Sequence, residues 1–361
     1  LHQQQTLSRT CAFQSVNFML EPPAQASDQL LACLRDQYGV QAVDLEFLPL
    51  GADPDTAVFR LAAADGAAYF VKLRRGAFDE VTVAVPYLLH QQGNEHVIAP
   101  ILTMAGRLYT RCGPFAVLLY PFVEGRNGFE VELAAAQWAA LGEALHNLHA
   151  TEVPPEPAQR IPRETFTAVW REQVRAVQAG LDAADAGGWP WPAADPFARE
   201  LAALLQSERG KVGALVERAE RLAAVVCDKN LPLVLCHADI HVWNLLVTAV
   251  GELYIVDWDT LLFAPKERDL MFIGSGIGGR QRPEQVENFY RGYGECAVDP
   301  DALAYYRCER IVQDIAVYCR ELLWSAAGGA DRPEQLRQLA SQFAPGGVVD
   351  VALAANRRSG Q

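Results

Sequence analysis

At 361 residues the chain is long enough for one large domain or two lobes, each with its own core. Half of its residues are hydrophobic, yet no apolar run approaches the ~18 residues that a membrane span needs, so no membrane partner is expected. The formal charge of −13, with no basic stripe, argues against a nucleic-acid partner and suits a cationic ligand, because an acidic surface concentrates cations.

Residues 1–18 are polar, aperiodic and begin with Leu, so they are expected to be a tail outside the fold, with Met19 as the true start. Residues 27–38 carry a helical apolar period closed by Gly39. Strand patterns follow at 43–48, 57–62 and 67–73, the last two joined by the hairpin signal Ala64-Asp65-Gly66. A helix is expected over 78–90, then strands at 98–102, 108–111 and 115–120. These elements make an N-lobe over 19–124, with a hinge at 121–125. From 125 to 361 the pattern is mostly helical, with periods at 133–149, 163–180, 196–227, 283–293, 300–327 and 332–343. Two Pro-rich stretches, 153–162 and 187–196, are expected to be connectors. The class is therefore α+β, with a β-rich N-lobe and a mostly helical C-lobe.

Eight scattered cysteines without a C-x-x-C pair indicate neither a zinc site nor a disulfide framework, and the expectation is reduced thiols in the cytoplasm.

Residues 233–259 read LVLCHADIHVWNLLVTAVGELYIVDWD and hold the densest chemistry. An apolar strand leads to His237-Ala238-Asp239, Asn244 follows in the loop, and a second short strand delivers Asp257. Phosphoryl transfer from ATP needs this set: one carboxylate to accept the proton of the attacking hydroxyl, and an amide and a second carboxylate to hold magnesium on the phosphates. Asp239 is the expected catalytic base, and Asn244 and Asp257 are the expected Mg2+ ligands. His237 is expected to hold the loop through hydrogen bonds to backbone. His241 and Trp243 are expected to pack it or to line the acceptor pocket, with packing favoured.

Strand alternation puts Phe70, Lys72 and Arg74 on one face and Val71 and Leu73 on the other. Lys72 is the expected contact to the ATP phosphates, oriented by Glu80, or second by Asp79, on the next helix. The loop at Gly51 is placed to lie over the phosphates, although it has a single glycine and is no G-x-G-x-x-G. Tyr120, Phe122 and Val123 in the hinge would offer backbone groups to adenine, while Tyr120 and Phe122 could equally be core aromatics.

Together these residues resemble the aminoglycoside phosphotransferase family, whose members share a protein-kinase-like two-lobed fold. Within that family the resemblance is strongest to its spectinomycin-modifying branch. It is carried by Gly51-Ala52-Asp53, 69–72, Tyr120-Pro121-Phe122, Asn127-Gly128-Phe129, Gln137-Trp138, 236–244 and 254–259. The most specific run is 264–274 (APKERDLMFIG), followed by Phe289-Tyr290, Gly292-Tyr293-Gly294, Tyr305-Tyr306-Arg307 and Glu309-Arg310-Ile311-Val312. It extends in register from Met19 to Leu353 and is weakest over 153–196 and beyond Gly346. The resemblance implies an antibiotic kinase that moves the γ-phosphate of ATP to a hydroxyl of spectinomycin or a similar aminocyclitol, with Asp239, Asn244, Asp257 and Lys72 in the roles given above. The protein would act as a monomer or weak dimer.

Such an acceptor carries two methylamino groups, so carboxylates are expected around it. Asp259, Glu309 and Asp314 are the candidates, with Asp259 favoured. Glu267-Arg268-Asp269 is expected to be a structural ion-pair cluster, and Arg310 with Asp314 has the i, i+4 spacing of a helix surface pair. A kinase of choline, homoserine, fructosamine or methylthioribose type shares the catalytic set but not the 264–274 run. A protein kinase is disfavoured by Ala238 after the motif histidine and by Asp257-Trp258 in place of D-F-G. An ATP-binding pseudokinase would have lost one of Lys72, Asp239, Asn244 or Asp257, and all four are present.

Overall fold

The computed structural model describes residues 27–49, 55–277, 281–325 and 331–354. The expected tail, Met19 and Gly51 lie outside the described residues.

Helix α1 (Ser27–Tyr38) places Leu30, Leu34 and Tyr38, four residues apart, against a sheet, and the Tyr38 hydroxyl donates to the Val117 carbonyl at 2.9 Å. That sheet has five antiparallel strands: β1 (Ala42–Leu48), β2 (Thr56–Ala63), β3 (Ala68–Arg75), β4 (Thr110–Cys112) and β5 (Phe115–Pro121), in the order β1-β2-β3-β5-β4. The β2–β3 hairpin turns at Asp65-Gly66, where Gly66 takes φ 87° and the Asp65 carboxylate accepts the Ala67 N–H at 3.0 Å. On β3, Val71 and Leu73 are buried under α1, and Phe70, Lys72 and Arg74 face the other way.

Helix α2 (Val81–Gln91) lies between the two halves of the molecule. Val83 packs on Ala116 and Leu118 of the sheet, whereas Val81, Val85 and Leu89 join the core of the helical part. It starts at Val81 rather than 78: the Asp79 carboxylate accepts the Val81 N–H (3.1 Å) in a turn just ahead of the helix. The strand expected at 98–102 does not form. Pro100 interrupts it, and only Val97 makes an isolated parallel bridge, to Ile255.

From Arg126 on, the chain is mostly helical. Helices α3 (Ala135–Ala150), α4 (Pro155–Arg160), α5 (Val169–Asp185), α6 (Pro196–Ser207) and α7 (Arg209–Lys229) come before the central loops. The helix expected over 196–227 is two, broken at Glu208. That expected from 163 starts at Val169, because Arg163 bridges to Phe263 in extended form. Helix α4 falls inside a stretch expected to be a connector, with Pro155 at its permitted first turn.

Three short strands pair as β6 (Arg126–Asn127), β8 (Leu245–Val247) and β9 (Leu253–Ile255), and β7 (Val234–Cys236) pairs with β10 (Leu262–Ala264). Then follow α8 (Glu267–Leu270), α9 (Pro283–Tyr293), α10 (Pro300–Leu323), α11 (Arg332–Gln342) and α12 (Val348–Ala354). Helices α3 and α9 meet at glycines: a Cβ on Gly292 would lie 1.8 Å from the Ala139 carbonyl oxygen, so the backbones approach closer than any side chain allows. No helix among the described residues is long and apolar enough to cross a membrane.

Candidate active site

The loop between β7 and β8 carries the first half of the site. Strand β7 is anchored by the buried Leu235 and Cys236, and the chain then turns at Ala238 with φ 66°, a conformation that costs a non-glycine residue energy unless its surroundings enforce it. Asp269 of α8 enforces it. Its carboxylate accepts the N–H groups of His237 (3.0 Å) and Ala238 (2.7 Å), and His149 Nε2 lies 3.0 Å from it. His149 is held in turn by the Tyr293 hydroxyl at 2.7 Å from its Nδ1. Glu267-Arg268-Asp269 is structural, as expected, but its contacts are not the expected ion pairs among the three: the Glu267 carboxylate accepts the Asp299 N–H and lies 3.4 Å from Lys266, and Arg268 lies over the Tyr306 ring. His237 does what was expected of it. Its Nδ1 accepts the Asp239 N–H (3.3 Å), which leaves Nε2 to donate to the Val256 carbonyl (3.1 Å).

Asn244 ends a single helical turn, 242–244, and runs straight into β8. The antiparallel pairing of β8 with β9 sets Leu245 opposite Ile255, and the Val256 N–H donates to the Asn244 carbonyl at 3.0 Å, so Asp257 emerges beside Asn244. The Asn244 amide donates to the Asp239 carbonyl oxygen (2.9 Å) and lies 3.5 Å from Asp239 Oδ2. Asp257 takes φ 64° and is 47 % exposed toward the cleft. Its carboxyl is pushed up by loss of water, opposed by Lys72, and pushed up further by the neighbouring Asp259 and Asp239.

The sheet supplies the opposite wall. Lys72 Nζ lies 3.0 Å from Asp259 Oδ2 and 3.6 Å from Asp257 Oδ1, and Arg74 pairs with the same oxygen of Asp259. Burial acts against the Asp259 charge, but Lys72 and Arg74 outweigh it and hold the carboxyl down at about 2. Lys72 likewise stays charged, the two carboxylates overcoming its desolvation.

Three expectations are corrected here. Glu80 does not orient Lys72: it faces Arg160 at 3.8 Å, as does Asp79 at 2.6 Å, because α2 begins only after both residues and leaves them at its outer end. Asp259, the favoured acceptor carboxylate, is instead paired with two cations and does not line the cavity described below. The turn after Asp257 carries it to the sheet wall, where Lys72 and Arg74 draw it in. Glu309 is buried against Arg171 at 3.1 Å and does not line the cavity described below. In the hinge, the Phe122 N–H is committed to the Ala68 carbonyl (3.1 Å), continuing the ladder in which Tyr120 faces Phe70, and the Phe122 ring lies under Arg60. Val123 is the next residue past that bond.

Beside the loop is a cavity of about 430 Å³ whose walls include Phe129, Trp243, Asp314, Tyr318 and Gln342. Phe129 and Trp243 stack at 4.1 Å, nearly parallel. Asp314, one of the expected acceptor residues, lines this cavity. Its partner Arg310 is another matter: the pair expected on a helix surface is fully buried, with Arg310 Nε 3.1 Å from Asp314 Oδ1 and Arg310 Nη1 2.6 Å from Asp239 Oδ1. Burial works against the Asp239 charge, but Arg310 and His241 (Nε2 3.4 Å from Oδ2) hold its carboxyl well below the usual range.

The sequence profile of the APH phosphotransferase enzyme family matches residues 44–306. The chain belongs to this family. It is an enzyme that transfers phosphoryl groups to hydroxyls, with a kinase-like α+β fold. Two structures of spectinomycin phosphotransferase APH(9)-Ia superpose on it: one in complex with ADP and spectinomycin (35 % identity, TM-score 0.82, covering 92 % of this chain and 99 % of that one). The other is bound to AMP (34 % identity, TM-score 0.80, 92 % and 100 %). Protein StrN of Streptomyces griseus is 27 % identical over 80 % of this chain and 82 % of its own length. An aminoglycoside phosphotransferase of Alicyclobacillus acidocaldarius shares the fold at 15 % identity (TM-score 0.55, 89 % and 97 %).

In this phosphotransferase, sequence reasoning missed two cations near the carboxylates. Arg74 was legible, since alternation puts it on the Lys72 face. Arg310 had a weaker signal: its helix continues Ile311, Val312, Ile315, Ala316 and Val317, apolar on every side, and a charge in such a helix must be buried and paired.

Proposed function

We propose that this phosphotransferase is an ATP-dependent kinase of spectinomycin or a similar cationic aminocyclitol. The observation that supports this best is the cleft where Lys72, Asp257, Asn244 and Asp239 converge, joined through Arg310 and Asp314 to the wall of an aromatic-lined cavity. Likeness over nearly the whole chain to an enzyme solved with ADP and spectinomycin supports the same acceptor.

Asp239 receives the acceptor hydroxyl and orients it for in-line attack on the γ-phosphate. Arg310 keeps Asp239 ionised and therefore a weak base, which suits a loose transition state in which the proton leaves late. Lys72 exchanges Asp259 for the nucleotide phosphates, and Asp314 offers its charge to an acceptor ammonium. Asn244 and Asp257 fit a hard divalent cation, since both are oxygen donors and the negative charge crowded around Asp257 is what a cation relieves. Mg2+ bound there supplies neutralisation of charge on the phosphate oxygens.

The test is ADP release with Mg-ATP and spectinomycin, with Asp239→Asn as the control. Turnover that requires spectinomycin and falls ~10²–10⁴-fold in the variant is the expected result. Mg-ATP binding with no turnover would sink the spectinomycin assignment and leave the kinase.

A further inference from the structure

Arg310 touches both Asp239, the proposed proton acceptor, and Asp314 of the cavity wall, and nothing in the phosphoryl-transfer inventory requires it. It sits in the middle of α10 with no exposed surface, its guanidinium 5.4 Å over the Phe272 ring, which fixes the plane of the fork. Nη1 reaches Asp239 Oδ1 at 2.6 Å and Nε reaches Asp314 Oδ1 at 3.1 Å. The other Asp314 oxygen accepts from Gln342 Nε2 at 3.3 Å, so Asp314 cannot swing without breaking a second contact.

The two oxygens of Asp239 are therefore unequal. Oδ1 is engaged by a short, charge-assisted bond, whereas the contacts of Oδ2 to Asn244 Nδ2 (3.5 Å) and His241 Nε2 (3.4 Å) are long. An oxygen with long contacts has capacity for a new short one. We propose that Arg310 is a positioning residue for phosphoryl transfer: it locks Asp239 Oδ1, is itself locked by Asp314 of the cavity wall, and so presents Oδ2 alone to the acceptor hydroxyl. This rests on the reading of Asp239 as the group that receives that hydroxyl. A planar fork can hold two carboxylates in fixed directions at once, and a lysine ammonium cannot. Because Asp314 lines the cavity, the residue that meets the acceptor also fixes the orientation of the base.

The experiment is steady-state kinetics of Arg310→Ala, Arg310→Lys and Asp314→Asn with Mg-ATP and spectinomycin, with thermal melts alongside. Misplacing a reacting group by about 1 Å costs on the order of 100-fold, so kcat of Arg310→Ala is expected to fall by about that factor with the KM for ATP within about twofold. Guanidinium at tens of millimolar should restore kcat of Arg310→Ala at least about tenfold without accelerating the parent, since it refills the vacated fork. A structural role alone would lower the melting temperature without such rescue. If Arg310→Ala does not fold, Arg310→Lys and Asp314→Asn decide the matter. A kcat loss of about tenfold at unchanged KM for ATP supports the proposal, and a kcat within about threefold of the parent overturns it. Should the parent ignore spectinomycin, that acceptor assignment fails by itself. Arg310 is then judged by the same criteria on slow Mg-ATP hydrolysis, with water as the acceptor.

Discussion

The two walls of the cleft are held in shape by different means. On the sheet wall, Lys72 and Arg74 hang from β3, whose backbone is fixed by its ladders to β2 and β5. Their direction follows from alternation, and their partner Asp259 lies partly in reach of water. On the helical wall, Asp239 sits on an irregular loop whose shape depends on buried polar groups from distant parts of the chain. Asp269 is 32 residues from His237, and His149 is 120 residues from Asp269. Ion pairs that keep some access to water exchange partners more readily, as the proposed contact to the ATP phosphates requires. Buried networks are costly to break, as suits the group that must not move.

That contrast breaks or sharpens under mutation. Asp269→Ala leaves two buried N–H groups without their acceptor, which should cost ~2–6 kcal/mol at ~1–3 each, read as a fall in the urea midpoint together with loss of turnover. A cost under ~1 kcal/mol would erase the difference between the walls. Next comes the pH response of the helical part. Burial pushes the Glu309 carboxyl from its ordinary 4.5 up to about 7, against the opposing pull of Arg171. The folded protein holds this proton more tightly than the unfolded chain, so the contribution to stability is complete below pH 4.5 and is lost as pH rises through 7. Unfolding at pH 5 and pH 8 should therefore differ less in Glu309→Gln than in the parent, by on the order of 2 kcal/mol. Equal pH responses in the two proteins would contradict the burial assigned to Glu309.

On the sheet wall, Lys72→Met should raise the KM for ATP about tenfold while costing less stability than Asp269→Ala, since Arg74 stays paired with Asp259. A large drop in melting temperature with an unaltered KM would reverse the roles assigned to the two walls. The smallest effect belongs to Glu80→Gln. Its side chain is 42 % exposed and faces Arg160, so stability should change by less than ~0.5 kcal/mol and the KM for ATP not at all. A raised KM would return Glu80 to Lys72.

Much of the sheet was legible in the sequence because its code is local. Alternation on β3, the Asp65-Gly66 turn and the four-residue spacing of α1 each depend on residues within one element. The site followed partly for the same reason: Asp239, Asn244 and Asp257 are separated by one loop and one hairpin, so short strands suffice to bring the latter two side by side. Where local code met an interruption the expectation failed, as at Pro100 and at Glu208. By itself the sequence determined the fold class, the phosphotransferase family and the face on which Lys72 stands. Only tertiary structure decided that Lys72 meets Asp259 rather than Glu80, that Arg310 grips Asp239, and that Asp269 holds Ala238 at positive φ. Each of these is a charge wholly or largely withdrawn from water that finds its partner across many residues of chain, and such a partner is fixed by packing, to which spacing along the sequence gives no key.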